Sequence, residues 1–353
     1  LTDLAATDEK QPGGAPQGEL TIRTIVIQNA SIELTDKTGG LAPLRLDLHT
    51  LALDEVYTGK PMTVALDASV AQAPGHFRLD AVYGPLSAPA AERKTELTVA
   101  FDQLDLRAFL AILPVGKLPV DVRAGTLSGS ISAKPSADLS VLETDIKLAA
   151  AGFSYTNPEG KWPVSEPADV TITGHARYDQ AAKTFTLDDG LVSALGNNLA
   201  VAVRNEPAGP APAEGSTAAA PTRTQATVSA KGVNLDNLLR LAPVAGQPLA
   251  KSGLKVTGPA DLSLTYTGVT GAPAALTAAL DLTPSAFAIP GSIEKPAGTA
   301  GALSSDIVLG DKSIDLKGTV VRLGPLTLNG GGSIGKDPLS TANLRLEGGP
   351  ADT

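Results

Sequence analysis

The sequence has no cysteine and few aromatic residues. Without cysteine among its 353 residues, it cannot form disulfides, thiolate metal sites or a cysteine nucleophile. Aromatic residues make up 3% of the chain. This is few for a site that binds sugars or single-stranded nucleic acid by stacking on aromatic rings. The 37 acidic residues outnumber the 28 basic ones, giving a net charge of −9. This balance argues against nucleic acid as a partner, because phosphate backbones attract basic surfaces.

Long apolar runs are also missing. No run reaches about 18 residues, so the sequence predicts no membrane-spanning helix. The first residues lack the basic start and apolar middle of a signal peptide. Because the chain begins with Leu1 and not with Met, we interpret it as a piece of a longer protein and expect any membrane anchor to lie outside it.

Alternation of apolar and polar residues dominates what is present. From Met62 to Val70, apolar side chains at every second position are separated by polar or small ones, and the same pattern recurs along the chain. A period of two indicates strands with one apolar and one polar face, which are typical of antiparallel sheets. The sequence therefore predicts a mainly β fold, a long curved antiparallel sheet whose apolar face forms a groove. Turn signals such as Asp188-Asp189-Gly190 separate the strands.

Two short helices interrupt the strand pattern, at 105–113 and 236–242. Asp105 and Asp236 are suitable N-caps, and a proline follows each helix. Helices of this length are marginal alone and must rest an apolar stripe on a sheet. Each is either a plug over one end of the apolar trough or a packed connector between repeated units.

The second half of the chain repeats the first. The Leu-Asp segment at Leu104 recurs at Leu235, with an offset of 131 between Asp105 and Asp236, and later segments match at an offset of 129. Such a period is typical of stacked units that bury apolar surface against their neighbours. The predicted organisation is a disordered segment 1–19, an N-terminal groove section 20–95, a first repeat 96–205, a Pro/Ala/Gly-rich linker or loop 206–223, a second repeat 224–346 and a tail 347–353.

No combination of residues indicates catalysis, a metal or a cofactor. Ser333 lies in a Gly-x-Ser-x-Gly pattern, but we interpret this as a flexible glycine-rich turn, since a nucleophile elbow needs a helix after the serine. The three histidines, His49, His76 and His175, are scattered and lack zinc-ligand spacing. We expect each of these four residues to sit apart from any activating partner and to be dispensable.

The apolar phase of the predicted strands defines the candidate site. Its members should face one apolar interior and contact lipid tails. They are Val64, Leu66, Phe77, Leu79, Leu97, Val99, Ile172, Val201, Leu262, Leu264, Leu280, Ile314 and Leu316.

Three passages resemble the AsmA-like family of bacterial envelope proteins, part of the bridge-like lipid-transfer group with repeated β-groove folds. The passage 20–36 is similar to the family's paired strands around an Asn/Asp-small turn. The passage 44–53, followed by Gly59-Lys60-Pro61-Met62, resembles its strand, Gly-Lys-Pro, strand sequence. The helices at 104–114 and 235–243 resemble its short C-terminal helices. The likeness covers residues 20–346 and consists of strands and turns.

The resemblance implies a periplasmic protein of Gram-negative bacteria, tethered to the inner membrane, that supports outer-membrane biogenesis. Its partners would be phospholipid or another acyl-chain lipid, the membrane, and other envelope proteins. Acyl chains would slide along the groove without chemistry. Two alternatives stay open. One is an envelope scaffold whose sheets are filled by their own side chains, and the other is a hydrolase that uses Ser333.

Overall fold

The computed structural model confirms a mainly β fold. Strands hold 74% of the residues that the structure describes. The predicted segment 1–19 and residues 351–353 of the predicted tail lie outside the described residues. The described residues are 22–34, 44–56, 59–71, 73–85, 88–89, 92–112, 120–157, 164–209, 221–241, 255–291, 293–310, 313–335 and 343–350.

The elements follow one another as strands with two interposed helices. In chain order they are β1 (Thr24–Leu34), β2 (Leu44–Asp54), β3 (Met62–Val70), β4 (His76–Gly84), β5 (Lys94–Asp105), α1 (Leu106–Ile112), β6 (Asp121–Pro135), β7 (Val141–Thr156), β8 (Ala168–Asp179), β9 (Thr184–Ala194), β10 (Asn197–Pro207), β11 (Thr222–Asn234), α2 (Leu235–Leu241), β12 (Lys255–Thr257), β13 (Pro259–Val269), β14 (Ala274–Asp281), β15 (Ala286–Ile289), β16 (Ile293–Lys295), β17 (Gly301–Leu309), β18 (Ser313–Leu323), β19 (Leu326–Gly335) and β20 (Asn343–Pro350).

Seventeen of these strands form a single antiparallel sheet. Each strand pairs with the one before it and the one after it, so the sheet runs in chain order from β1 to β20, omitting β12, β15 and β16. The sheet is open, with β1 and β20 at its two ends. Alternating strand direction gives it two long edges. We call the edge at the ends of β5 and β11 the helix edge, and the other the opposite edge.

The two helices lie within one residue of the predicted bounds. Residues 113 and 242 of the predictions lie outside the described residues. The prediction that Asp236 caps α2 is wrong. The amide of Asn237 donates to the Asn234 side-chain oxygen at 3.2 Å, as the amide of Ala108 donates to Asp105 at 2.8 Å in α1. Among the described residues, no helix has the length and apolar character to cross a membrane.

With Asn234 as the cap of α2, all the matching segments of the two repeats have the same offset. Asp105 and Asn234 are 129 residues apart, the offset already seen in later segments. Backbone bulges repeat at the same offset. Gln103 and Gly232 both have positive φ, 48° and 65°, and Asp189 and Gly318 likewise have 53° and 63°. Bulges bend a strand and increase its twist, so the two repeats deform the sheet at equivalent places.

One of these bulges corrects a sequence prediction. Asp188-Asp189-Gly190 lies inside β9 and is not a turn between strands. Some bulges and some turns place a residue at positive φ, which Gly and, less readily, Asp adopt. The sequence signal is therefore the same for a bulge and for a turn. Only the pairing of β9 with β8 and β10 shows that this one is a bulge.

The predicted linker 206–223 is partly strand. β10 continues to Pro207 and β11 begins at Thr222, and these two residues are partners in the sheet. The amide of Ala208 donates to the carbonyl oxygen of Pro221 at 2.8 Å. Residues 210–220 lie outside the described residues. The sheet thus passes from the first repeat into the second without interruption.

A small sheet of β12, β15 and β16 extends the second repeat beyond the helix edge. Lys295, which is 3% exposed, anchors it. Its Nζ donates to the carbonyl oxygens of Ser285 at 2.6 Å and Leu282 at 2.8 Å, and burial lowers the pKa of the ammonium. Hydrogen bonds of this kind are what allow a charge to be buried.

The cap assignment can be tested by amide hydrogen exchange. Asn234→Ala should remove the cap of α2 at a cost of about 1 kcal/mol, whereas Asn234→Ser should retain it. Exchange of the α2 amides should therefore be about fivefold faster in Asn234→Ala than in the wild type. Equal exchange in the two variants would contradict the assignment.

Candidate functional site

The strand register places all thirteen predicted groove residues on one face of the sheet, which we call the apolar face. In an antiparallel pair, directly opposite residues share a face. Leu66 lies opposite Leu79, which lies opposite Val99. In the second repeat, Leu262 lies opposite Leu280. Successive pairings across β5 to β18 join the remaining members to these.

The apolar face is only partly removed from water. Twelve of the thirteen residues are half-buried, and Ile172 is 42% exposed. In β11 and β14 the half-buried residues alternate with fully exposed ones on the other face. A second packed layer would bury such residues almost completely. Over most of the described strands this face is therefore accessible to a ligand.

The apolar face extends beyond the predicted residues. Ile131 and Ile146 continue the row of Val99 across β6 and β7, and Ile307 lies opposite Leu316 on β17. The sequence signal was weaker here because Gly and Ser dilute the alternation in β6. Bulges also shift the phase of the apolar–polar alternation along a strand, so a search for strict alternation does not find these positions.

The apolar face is closed along the helix edge near α1. Leu104, at the end of β5, is fully buried, and Leu106 begins the helix at 8% exposure. The rings of Phe101 and Phe109 meet edge to face, 5.1 Å between centroids. Gly125 allows this packing, because a Cβ there would lie 2.9 Å from Leu106 Cδ1. α1 therefore packs on the apolar face as a plug at that edge.

The second helix is tied to the helix edge by polar contacts. Asn197, at the start of β10, accepts the Asn234 amide at 2.7 Å, and the Asn237 side chain donates to the carbonyl oxygen of Leu195 at 2.8 Å. Arg240 donates to Glu166 at 2.7 Å. These contacts join α2 to the edge of the first repeat.

Along the opposite edge the apolar face is exposed. Leu142, Tyr178 and Phe185 lie directly across from one another on β7, β8 and β9. Their exposures are 38%, 43% and 37%. Large exposed apolar side chains in a row mark contact surfaces more often than chance. The helix edge of the apolar face is thus covered by α1 at β5 and β6, and the opposite edge is exposed at β7 to β9.

The other face of the sheet is polar and carries all three histidines. The expectation that each sits apart from any activating partner stays a prediction, but each histidine meets a polar side chain on the adjacent strand. Such partners are 20 to 30 residues away in sequence and become neighbours only through register. The nitrogen–oxygen distances are 3.1 Å for His49–Ser69, 3.8 Å for His76–Asp102 and 3.0 Å for His175–Asp145.

Ser333 lies in a strand and not in a turn. β19 pairs with β18 on one side and β20 on the other, and Ser333 donates to Asp315 at 2.6 Å. The three histidines lie on β2, β4 and β8. At about 4.8 Å per strand, His175 is roughly 38 Å from β19 along the sheet. Ser333 therefore has a carboxylate neighbour but no histidine to act as a base.

The described part of the chain holds no group of three or more His, Asp or Glu side chains that could bind a metal ion. The acidic residues instead lie along strands and in turns. Asp138 shows the pattern, because hydrogen bonds from Ser136 and Ser140 lower the pKa of its carboxyl to about 2. This is local turn chemistry.

Comparisons with family models, curated proteins and solved structures give no match to this chain. The resemblance to the AsmA-like family therefore stays a prediction based on the passages quoted above. Any function assigned to the chain must be supported by the geometry of its sheet.

The His175–Asp145 pair can be tested by NMR titration. The hydrogen bond from His175 lowers the pKa of Asp145, so His175→Ala should raise that pKa toward its ordinary value. The contact should stabilise the fold above the unfolded-state pKa of the carboxyl and lose this effect as the pH falls through the lowered value. His49→Ala, the control, should leave Asp145 unchanged. Identical Asp145 titrations in wild type and His175→Ala would contradict the contact.

Proposed function

We propose that the protein binds the acyl chains of lipids on its apolar face and acts without catalysis. The observation that carries this proposal is the continuity of that face from β3 to β18, where twelve of the predicted groove residues are half-buried and Ile172 is exposed. Removing a methylene from water is worth about 0.8 kcal/mol, so an apolar surface of this length binds acyl chains without a charged clamp.

The setting we propose is the periplasm of a Gram-negative bacterium. A tether to the inner membrane would lie outside this chain, and the protein would support phospholipid transport between inner and outer membrane. The proposed setting rests on the resemblance to the AsmA-like family. An open sheet fits such a role because tails lie on the apolar face while headgroups stay in water.

The competing function is an envelope scaffold with a self-filled core. The packing around α1 favours it, since Val70, Phe101, Leu104 and Leu127 form a buried cluster with the helix. Its buried members lie on β3, β5, β6 and α1, and Phe77 and Val99 of the apolar face pack against them. Among the described residues, the cluster includes none of the predicted groove residues of β8 to β18. Mass spectrometry of lipids that co-purify with the chain separates the two functions, because a scaffold retains none.

A charge on the apolar face should reduce lipid binding. Leu264→Asp and Leu66→Asp should each lower the amount of co-purifying lipid severalfold, because a carboxylate is costly among acyl chains. Ser263→Asp is the matched control, since Ser263 neighbours Leu264 but is exposed on the polar face. Circular dichroism checks the fold. If photo-crosslinkers at positions 66 and 264 of the folded protein never capture lipid, the proposal fails.

The polar face should be dispensable. Alanine at His49, His76, His175 or Ser333 should leave the amount of bound lipid unchanged, because all four side chains contact only neighbouring strands. Lipid extraction from each purified variant measures this. Loss of binding in one folded variant, or reaction of Ser333 with a serine-directed covalent probe, would reopen the enzyme alternative.

A further inference from the structure

The plug at α1 is built on a pair of aromatic rings, of which Phe101 is 7% exposed and Phe109 is half-buried. Phe101 lies on the apolar face, opposite Phe77 on β4 and Gly129 on β6. A Cβ at Gly129 would overlap the carbonyl oxygen of Lys147 on β7, so glycine is required where β6 and β7 approach each other there. Phe109 packs against the Phe101 ring from α1, with an angle of 64° between the planes. The two rings form a wall across the ends of the neighbouring strands.

The second repeat has smaller side chains at the equivalent positions. The offset of 129 relates Phe101 to Ala230 and Phe109 to Leu238. Ala230 lies on the apolar face opposite Leu262 and is 6% exposed. The two repeats thus share a strand, a cap and a helix, but differ in side-chain volume at the end of the apolar strip.

The length of the apolar strip in front of the wall matches one acyl chain. From Leu97, where the apolar phase of β5 begins, to Phe101 the strand rises by four residues, about 13 Å. One leaflet contributes about 15 Å, half of the hydrocarbon core of a bilayer. The strip ends at the opposite edge of the sheet, where Tyr178 is exposed three strands away on β8. Tyrosine is enriched between apolar and aqueous surroundings.

Resting on the proposed function, we propose that Phe109, backed by Phe101, is a specificity-determining residue that limits acyl-chain length in the first repeat. The chain lies along the strands, with its methyl end against the Phe109 ring and its headgroup at the opposite edge. Leu238 plays the equivalent part in the second repeat and admits longer chains there.

The test is a competition among lipids of one headgroup. The purified chain is incubated with vesicles of phosphatidylethanolamine carrying C14, C16 and C18 saturated chains in equal amounts, and retained lipid is quantified by mass spectrometry. Phe109→Leu and Phe109→Ala should raise the ratio of C18 to C14 lipid, by about fourfold for each further methylene that is buried. Leu238→Phe should lower the ratio.

Leu191→Ala is the control, because Leu191 is exposed on the polar face of β9, away from the proposed acyl chain. It should leave the ratio unchanged. If the wild type retains lipid, and Phe109→Leu, Phe109→Ala and Leu238→Phe all have the same ratio of C18 to C14 lipid as the wild type, the inference is overturned and the proposed function stands. If the wild type retains no lipid, the proposed function fails and the inference with it. Circular dichroism confirms folding, and Leu238→Phe decides the question if Phe109→Ala does not fold.

Discussion

The structure depends on one constraint, that an antiparallel sheet satisfies its backbone hydrogen bonds within its own layer but leaves its apolar face to be covered by something else. Each inner strand of the seventeen-stranded sheet pairs with the sheet strands before and after it in the chain, so its backbone groups find partners without a second layer. Apolar surface in water is worth roughly 25 cal/mol per Å² when it is buried. Further burial of the half-buried apolar face would therefore be favourable.

Repetition explains how such a sheet remains ordered without a central core. Near the strand ends, most buried apolar residues lie on the helix edge. Leu104 and Val233 occupy equivalent positions there and are 0% and 1% exposed. Each of these residues sits one position before the cap of a short helix. Local packing at regular intervals thus replaces the single core of a compact domain, as in other stacked architectures.

The equivalent positions of the two repeats also show where the chain departs from symmetry. Glu166 and Lys295 are related by the offset of 129, yet Glu166 is exposed and paired with Arg240, while Lys295 is buried under carbonyl oxygens. The first of these residues ties α2 to the helix edge, and the second holds a small sheet in place. Both therefore strengthen the helix edge, by different interactions.

The sequence by itself determined the strands, the two helices and the phase that assigns Leu66 and Leu264 to the apolar face, because alternation and capping are local properties. Tertiary structure decided the rest. Gly331 to Gly335 became a strand only because β18 and β20 lie beside it, and the histidine partners exist only through register. The cap of α2 at Asn234 depended on which of two suitable residues reached the Asn237 amide. Pairing between distant strands sets all of these, and no local pattern in the sequence records it.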